Sequence, residues 1–582
     1  MKTEWDLTLL YKSIDDPQIE KDIKHTEKMC DAFSRTYSKV NFSKSVSNVL
    51  KALVDFETLH RDGSAEKPIC FLRYTIHIGR DEDGSVQAKM NKVQERVRKS
   101  LNKIKFFILA LGSIQKKQQK VLLSHPTLKP YKHFLSEVFK TAQFQLSEEV
   151  EKVLSLTRSV AYDAWTSGQS KLLSQQMVTY NGRTVPIEEI TNSLLKEPNK
   201  ESRSKMQEAL TGTLKNISPF AESELNAIFA FRKIEDELRS LKHPSDAMLL
   251  ENQDSRKAVD NLIKTVTDNF NISHTYYGML AKELGLAELG YEDRQASVGT
   301  LNKSFSFEES IDILKDAFRP LGQVYVDLVD SFVKRGQVDV YPRKGKRGGA
   351  YCSSMYGSET YVLLNHVNNF TSLQTFGHEM GHAFHSHFSR TQSALNFDYS
   401  LTTAETASTF FENVVFEHVL KQLSAKERKI ALFDRLQRDI STIFRQVACY
   451  NFESELHQTV RTDGFVSKEN IAQIHNKNMS AYLGPKMKFR EDDGYMFVSW
   501  PHLRYYFYVY TYAYGLLTSK VMLRNLEKDP GYIKQVEKFL KAGGSDTPIN
   551  IFKSIGIDTT KPDFFRAGLL EIEKDIRDLK SL

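Results

Sequence analysis

The chain has 582 residues, 40% of them hydrophobic and 26% charged, with only 28 Gly and 15 Pro. This is the balance of a soluble globular protein too long for one small core, and the scarcity of turn formers favours long helices over a turn-rich all-β fold. The net charge of +7 is mild over this length, and the lysines clustered at 115–120 and 344–347 accompany no recognised nucleic-acid motif, so they read as solvated surface and no nucleic-acid partner is expected.

The first segment, MKTEWDLTLLYKSIDDP, lacks the basic start, long apolar run and small-residue cleavage site of a signal peptide. The turn signal Gly79-Arg80-Asp81-Glu82-Asp83-Gly84 separates two helical patterns. The apolar run Phe106 to Gly112 is too short to span a bilayer, and no longer one suggests a membrane helix. Val150, Val153 and Leu154 follow Ser147 at helical spacing. Pro186 and Pro198 mark a soft boundary, so an N-terminal helical lobe over 1–190 and a catalytic domain over 191–582 are expected. Ser306 and Glu309 make a capping box before Ile311, Leu314 and Phe318, and Pro320 ends that helix. Short strands are expected near Ala350-Tyr351-Cys352-Ser353 and Tyr361-Val362-Leu363-Leu364. Cys30, Cys70, Cys352 and Cys449 are scattered, without a CxxC pair, which fits reduced thiols in a cytoplasm.

The chemistry concentrates at His378-Glu379-Met380-Gly381-His382. On a helix His378 and His382 lie only about 40° apart and one turn on, so both imidazoles can reach one ion. Glu379 points to the side, where it can hold a metal-bound water instead of the metal. Gly377 and Gly381 leave room for close approach, at about 1 kcal/mol each inside a helix. A catalytic zinc needs a third protein ligand and an open position. His385 shares the face, but it lies about 10 Å along the axis from His378, too far for one straight helix to wrap one ion. Glu405, in a second helical run that can return beside the first, is the better candidate, with small Ala404, Ala407 and Ser408 permitting tight contact. Glu412, on the same face, can accept the free N–H of a ligand histidine. Taken alone, both glutamates also read as solvated surface acids.

Together these segments resemble the zinc metallopeptidases of the oligoendopeptidase F and thimet oligopeptidase family. Gly345-Lys346-Arg347-Gly348-Gly349-Ala350-Tyr351 is similar to its glycine-rich loop and strand, and Tyr361 to Asn365 to its next strand. HEMGHAFH at His378 to His385 is similar to the zinc helix, and AETAST at Ala404 to Thr409 to the third-ligand helix. WPHLRYYFYVYTYAYG at Trp500 to Gly515, and Trp5-Asp6-Leu7-Thr8, resemble the oligoendopeptidase F branch. The resemblance covers nearly the whole chain. It implies a mainly α, two-lobed zincin-type fold with a deep central channel and a small β-sheet beside the HExxH helix.

The resemblance also implies one zinc ion per chain and short peptides as substrates, with no membrane, nucleic-acid or obligate protein partner. Zinc on His378, His382 and Glu405 would acidify a water, and Glu379 would take its proton and pass it to the leaving nitrogen. His502 and Tyr508 match, by position, the family's histidine and tyrosine facing the zinc, as donors to the oxyanion. Arg504 stands where the branch usually has tyrosine, which makes it a candidate for holding a substrate carbonyl or carboxylate. For Tyr505, Tyr506, Tyr510, Tyr512 and Tyr514 core or rim packing is the plainer reading, with Tyr505 also a substrate-contact candidate. Gly349 and Ala350 are candidates for pairing with an extended peptide, against the alternative of a purely structural hairpin. Release of dipeptides, and peptide binding without turnover, are the competing activities.

Overall fold

The computed structural model describes residues 1–301 and 303–582; among these, helices dominate and three small sheets form. The chain folds into two compact units. The first gathers Met1–Gln143, Asn302–Gln422 and Met522–Ile557; the second gathers Phe144–Leu301, Leu423–Val521 and Asp558–Leu582. The boundary near residue 190 therefore divides the chain in order of sequence, whereas long-range packing groups its residues differently. Local signals place many of the helices: Ser147 caps Glu148–Arg158, and Ser306 with Glu309 caps Phe307–Phe318 reciprocally at 2.8 and 3.1 Å.

In the first unit a three-stranded sheet has Tyr361–Leu363 at its centre, parallel to Val338–Asp339 and antiparallel to Tyr351–Ser353. Tyr351–Ser353 is thus an edge strand. The N-terminal segment is stapled to this sheet. The Trp5 indole N–H donates to the Val362 carbonyl at 2.8 Å, and the Trp5 backbone N–H to the Asp339 carboxylate at 3.2 Å. Asp339 also pairs with Arg343 and with the fully buried Lys346, each at 2.7 Å. Part of the basic cluster at 344–347 is therefore a buried structural ion pair, not a solvated patch.

Helix Phe370–Ser389, capped by the Asn369 side chain, packs antiparallel on helix Leu401–Leu420, capped by Ser400. Gly377 faces Glu412 and Val415, while Gly381 faces Ala407, Ser408 and Phe411. A Cβ at position 381 would stand 2.7 Å from the Ser408 Cα. The helices can approach this closely only because the residue is glycine, and this offsets its poor helix propensity.

In the second unit the 39-residue helix Lys200–Leu238 is the spine. Its buried side chains take ion-pair partners from distant segments: Arg203 meets Asp293 at 2.7 Å, Asp236 meets Arg461, and Glu224 meets Arg504. Arg504 is here corrected from a substrate donor to a structural residue. Its Nε donates to Glu224 at 2.9 Å and Nη2 to the same carboxylate at 2.5 Å, while Nη1 donates to the Trp500 carbonyl at 2.7 Å. A guanidinium buried to this extent needs a fixed counter-ion, and the long helix supplies it. The aromatic run around it is not one continuous helix: Pro501–Arg504 forms a 3-10 turn, the backbone then breaks, and a helix resumes over Tyr510–Lys528. Tyr506, Tyr510 and Tyr514 are buried as packing residues, and Tyr505 is exposed. A hairpin absent from the sequence expectations pairs Met177–Tyr180 with Arg183–Pro186 across Asn181 and Gly182, both at positive φ.

Truncating one partner of the Arg504–Glu224 pair strands the other charge in the interior. Arg504→Ala or Glu224→Ala is expected to destabilise the protein by about 3–5 kcal/mol, and replacing both by apolar residues of similar volume by much less. Denaturant unfolding of the two singles and the double checks this; additive losses would show that the charges are not coupled.

Candidate active site

The antiparallel helix pair brings one nitrogen each of His378 and His382 and a carboxylate oxygen of Glu405 within 4.8 Å of one another. His378 Nε2 is 3.8 Å from Glu405 Oε2. Ligand atoms around a tetrahedral zinc, with bonds near 2.1 Å, stand about 3.4 Å apart, so small side-chain rotations suffice to close this set on an ion. Two imidazoles and a carboxylate are donors that suit zinc. On the far side of the His378 ring, Nδ1 lies 2.9 Å from Glu412 Oε2. A carboxylate there fixes the tautomer that leaves Nε2 free to bind.

Glu379 projects from the same helix and is 5% exposed. One carboxylate oxygen, Oε2, has no hydrogen-bond partner among the described residues. The backbone N–H of Cys352, on the edge strand, donates to this carboxylate. Burial raises the Glu379 pKa to about 7, against the opposing charge of His378. Burial likewise lifts Glu405 above the usual carboxylate range. For His378, burial works against the charged form, but the hydrogen bond and charge of Glu412 outweigh it and hold the pKa at about 9. For His382, partly buried beside His378 and His385, desolvation and the two neighbouring imidazoles drive the pKa well below its ordinary value. A cation among these groups would favour anionic carboxylates and neutral imidazoles, the forms that bind metal.

His385 does not join the set. It is fully buried, its ring stacked on Tyr399 at 3.6 Å, and burial lowers its pKa to about 3. The Tyr399 hydroxyl meets Ser386 Oγ at 2.9 Å, and Ser386 donates to Ser354 just past the edge strand. This connection between strand, metal helix and the loop entering the Glu405 helix left no signal in the sequence, because single Ser and Tyr residues are common everywhere.

Gly349 and Ala350 line a cavity of about 270 Å³ with Asn365 and residues from the start of the metal helix. The Asn365 side chain holds the glycine-rich loop by donating to the carbonyls of Arg347 and Gly349 at 2.9 and 2.7 Å.

In the second unit His502 Nδ1 and the Tyr508 hydroxyl are 2.6 Å apart. Burial and the neighbouring Arg445 charge lower the His502 pKa to about 4, so the ring is neutral near pH 7. Tyr505 and Arg504 line a second cavity, of about 390 Å³, with Gln169, Pro501 and Val498.

The sequence model of peptidase family M3 matches residues 193–570, and that of Oligopeptidase F matches residues 111–174. Oligopeptidase PepF of Bacillus subtilis is 27% identical over 479 residues, covering 80% of this chain and 71% of that protein. Among solved structures, a candidate peptidase from Chlamydophila abortus superposes with a TM-score of 0.84 at 25% identity, covering 100% of this chain and 98% of the other. Oligoendopeptidase-F from Enterococcus faecium shares the fold with a TM-score of 0.69 at 20% identity, with 97% of each chain covered. Together with the helix pair and its donor set, these matches place the chain in peptidase family M3, in its oligoendopeptidase F branch.

Proposed function

We propose that this metalloendopeptidase is a zinc enzyme that hydrolyses short oligopeptides, with His378, His382 and Glu405 as zinc ligands and Glu379 as general base. The observation that carries the reading is the convergence of those three ligand atoms within 4.8 Å, two from the helix that also bears Glu379 and one from its antiparallel neighbour. Zinc held by His378, His382 and Glu405 would supply an acidified water and a Lewis acid for the scissile carbonyl. Glu379, with its unpaired oxygen, takes the proton of the attacking water and delivers it to the departing amide nitrogen. Glu412 keeps His378 oriented through Nδ1.

His502 and Tyr508 are proposed as donors to the developing oxyanion. Whichever donates within their 2.6 Å hydrogen bond, the other retains a proton to offer: Tyr508 through its O–H, or His502 through Nε2–H. Gly349 and Ala350, next to the edge strand, are proposed to meet the substrate backbone, and exposed Tyr505 to contact a substrate side chain. The meeting of the two family matches between residues 174 and 193 supports the division into modules 1–190 and 191–582. No helix of the described residues is long and apolar enough to cross a membrane, and the four cysteines are free, which supports a reducing compartment such as the cytoplasm.

A quenched peptide library distinguishes turnover from mere binding. Wild type should cleave it, a chelator should stop cleavage and added zinc restore it, while Glu379→Gln should lose at least about 10³-fold in kcat with zinc still bound. Absence of cleavage by metal-loaded wild type would sink the enzyme reading. For the ligand set, zinc competition titrations should show Glu405→Ala weakened beyond about 100-fold, Glu412→Ala by about 10–100-fold, and His385→Ala by less than about tenfold. Stronger loss in His385→Ala than in Glu405→Ala would reverse the ligand assignment.

A further inference from the structure

Tyr506 and Phe507, directly before Tyr508, have φ of 45° and 60°. Bulky L-residues in this left-handed region cost about 1–3 kcal/mol each, and two in succession persist only where the surroundings over-determine them. The restraints here are specific. Glu453 Oε1, on helix Gln446–Asp463, accepts the Phe507 N–H at 2.9 Å. The Tyr506 hydroxyl donates to the Ile228 carbonyl at 3.0 Å, and the Arg232 guanidinium stands 5.4 Å from the centre of the Tyr506 ring. Upstream, Arg504 is tied to Glu224 and its carbonyl accepts the Tyr162 hydroxyl. Downstream, the Thr511 N–H and hydroxyl close on the Tyr508 carbonyl at 3.0 and 2.8 Å.

Glu453 is the costly member of this set. It is fully buried, its second oxygen Oε2 has no hydrogen-bond partner among the described residues, and His457 Nε2 is 3.8 Å from Oε1. Filling a core position calls for an apolar side chain; burying a carboxyl against one backbone N–H loses free energy unless that N–H must be held. The N–H in question belongs to the left-handed pair that aims Tyr508.

We propose that Glu453 is a positioning residue, whose carboxyl holds the strained Tyr506–Phe507 backbone and thereby sets the contact between Tyr508 and His502. The inference rests on the reading of Tyr508 as an oxyanion donor. Without Glu453 the Phe507 N–H loses its acceptor, the pair relaxes toward ordinary φ, and the Tyr508 hydroxyl moves. A displacement near 1 Å at a reacting group costs about 100-fold in rate.

The test compares Glu453→Leu, Glu453→Gln, Tyr508→Phe and the double variant Glu453→Leu/Tyr508→Phe, all zinc-loaded and with metal content measured. Glu453→Leu should lower kcat by about 100-fold and leave KM within about threefold, whereas Glu453→Gln, whose amide oxygen still accepts the N–H, should recover to within about fivefold of wild type. The double variant should be no slower than the slower single, because both changes remove the same donor. If Glu453→Leu does not fold, Glu453→Asp, which withdraws the carboxyl by one methylene, is read by the same criteria. A kcat within about twofold of wild type, or losses that multiply in the double variant, overturns the positioning role. Full activity in Tyr508→Phe instead overturns the tyrosine reading, and the positioning role built on it falls for that separate reason.

Discussion

The metal centre depends on how closely two helices can lie. His378 and His382 belong to one helix and Glu405 to the other, so no local conformation can assemble the set. Gly381 lets helix Phe370–Ser389 settle against Ser408, with Gly377 opposite Val415 one turn earlier. At that separation Glu405 reaches the Nε2 side of His378 while Glu412, two turns along the same helix, reaches its Nδ1 side. One helix thus supplies both the proposed third ligand and the carboxylate that contacts the far side of a proposed ligand histidine. The fixed rise and turn of an α-helix make the two placements inseparable.

Elsewhere the protein uses buried carboxylates to fix backbone that no regular element could hold. Asp339 collects Trp5, Arg343 and Lys346 and so joins the N-terminus to the sheet beside the metal helix. Glu224 and Glu453 act on either end of the irregular stretch between Arg504 and Tyr508. Charges in an interior are costly unless every partner is in place, so such contacts add specificity of geometry more than net stability. That stretch ends at Tyr508, whose hydroxyl must be accurately placed if it is to meet a developing charge.

How much was legible follows from the range of each signal. The capping box at Ser306, the turn at Gly79 to Gly84 and the i, i+4 histidines are local patterns, and each appears where the spacing placed it. Asn181-Gly182 is an equally local hairpin signal, and the chain turns there between Met177–Tyr180 and Arg183–Pro186. The role of Arg504 has no local signal. An arginine among tyrosines beside a proposed site invites a substrate role, and nothing near it in the chain discloses that its counter-ion is Glu224, 280 residues away.

The sequence by itself determined the mainly helical class, the pair of histidines on one helix face with a glutamate beside them, and the distance along the axis that disfavours His385 as a third ligand, since all of these follow from helix geometry within a few residues. Its motif order also pointed to the M3 peptidases. Only the tertiary structure decided which of the two glutamates on the second helix faces which nitrogen of His378. It also decided that Lys346 and Arg504 are interior ion-pair partners, and that Tyr506 and Phe507 take left-handed backbone on the acceptor of Glu453. Those outcomes depend on which distant groups share a low-dielectric interior, and spacing along the chain carries no record of that.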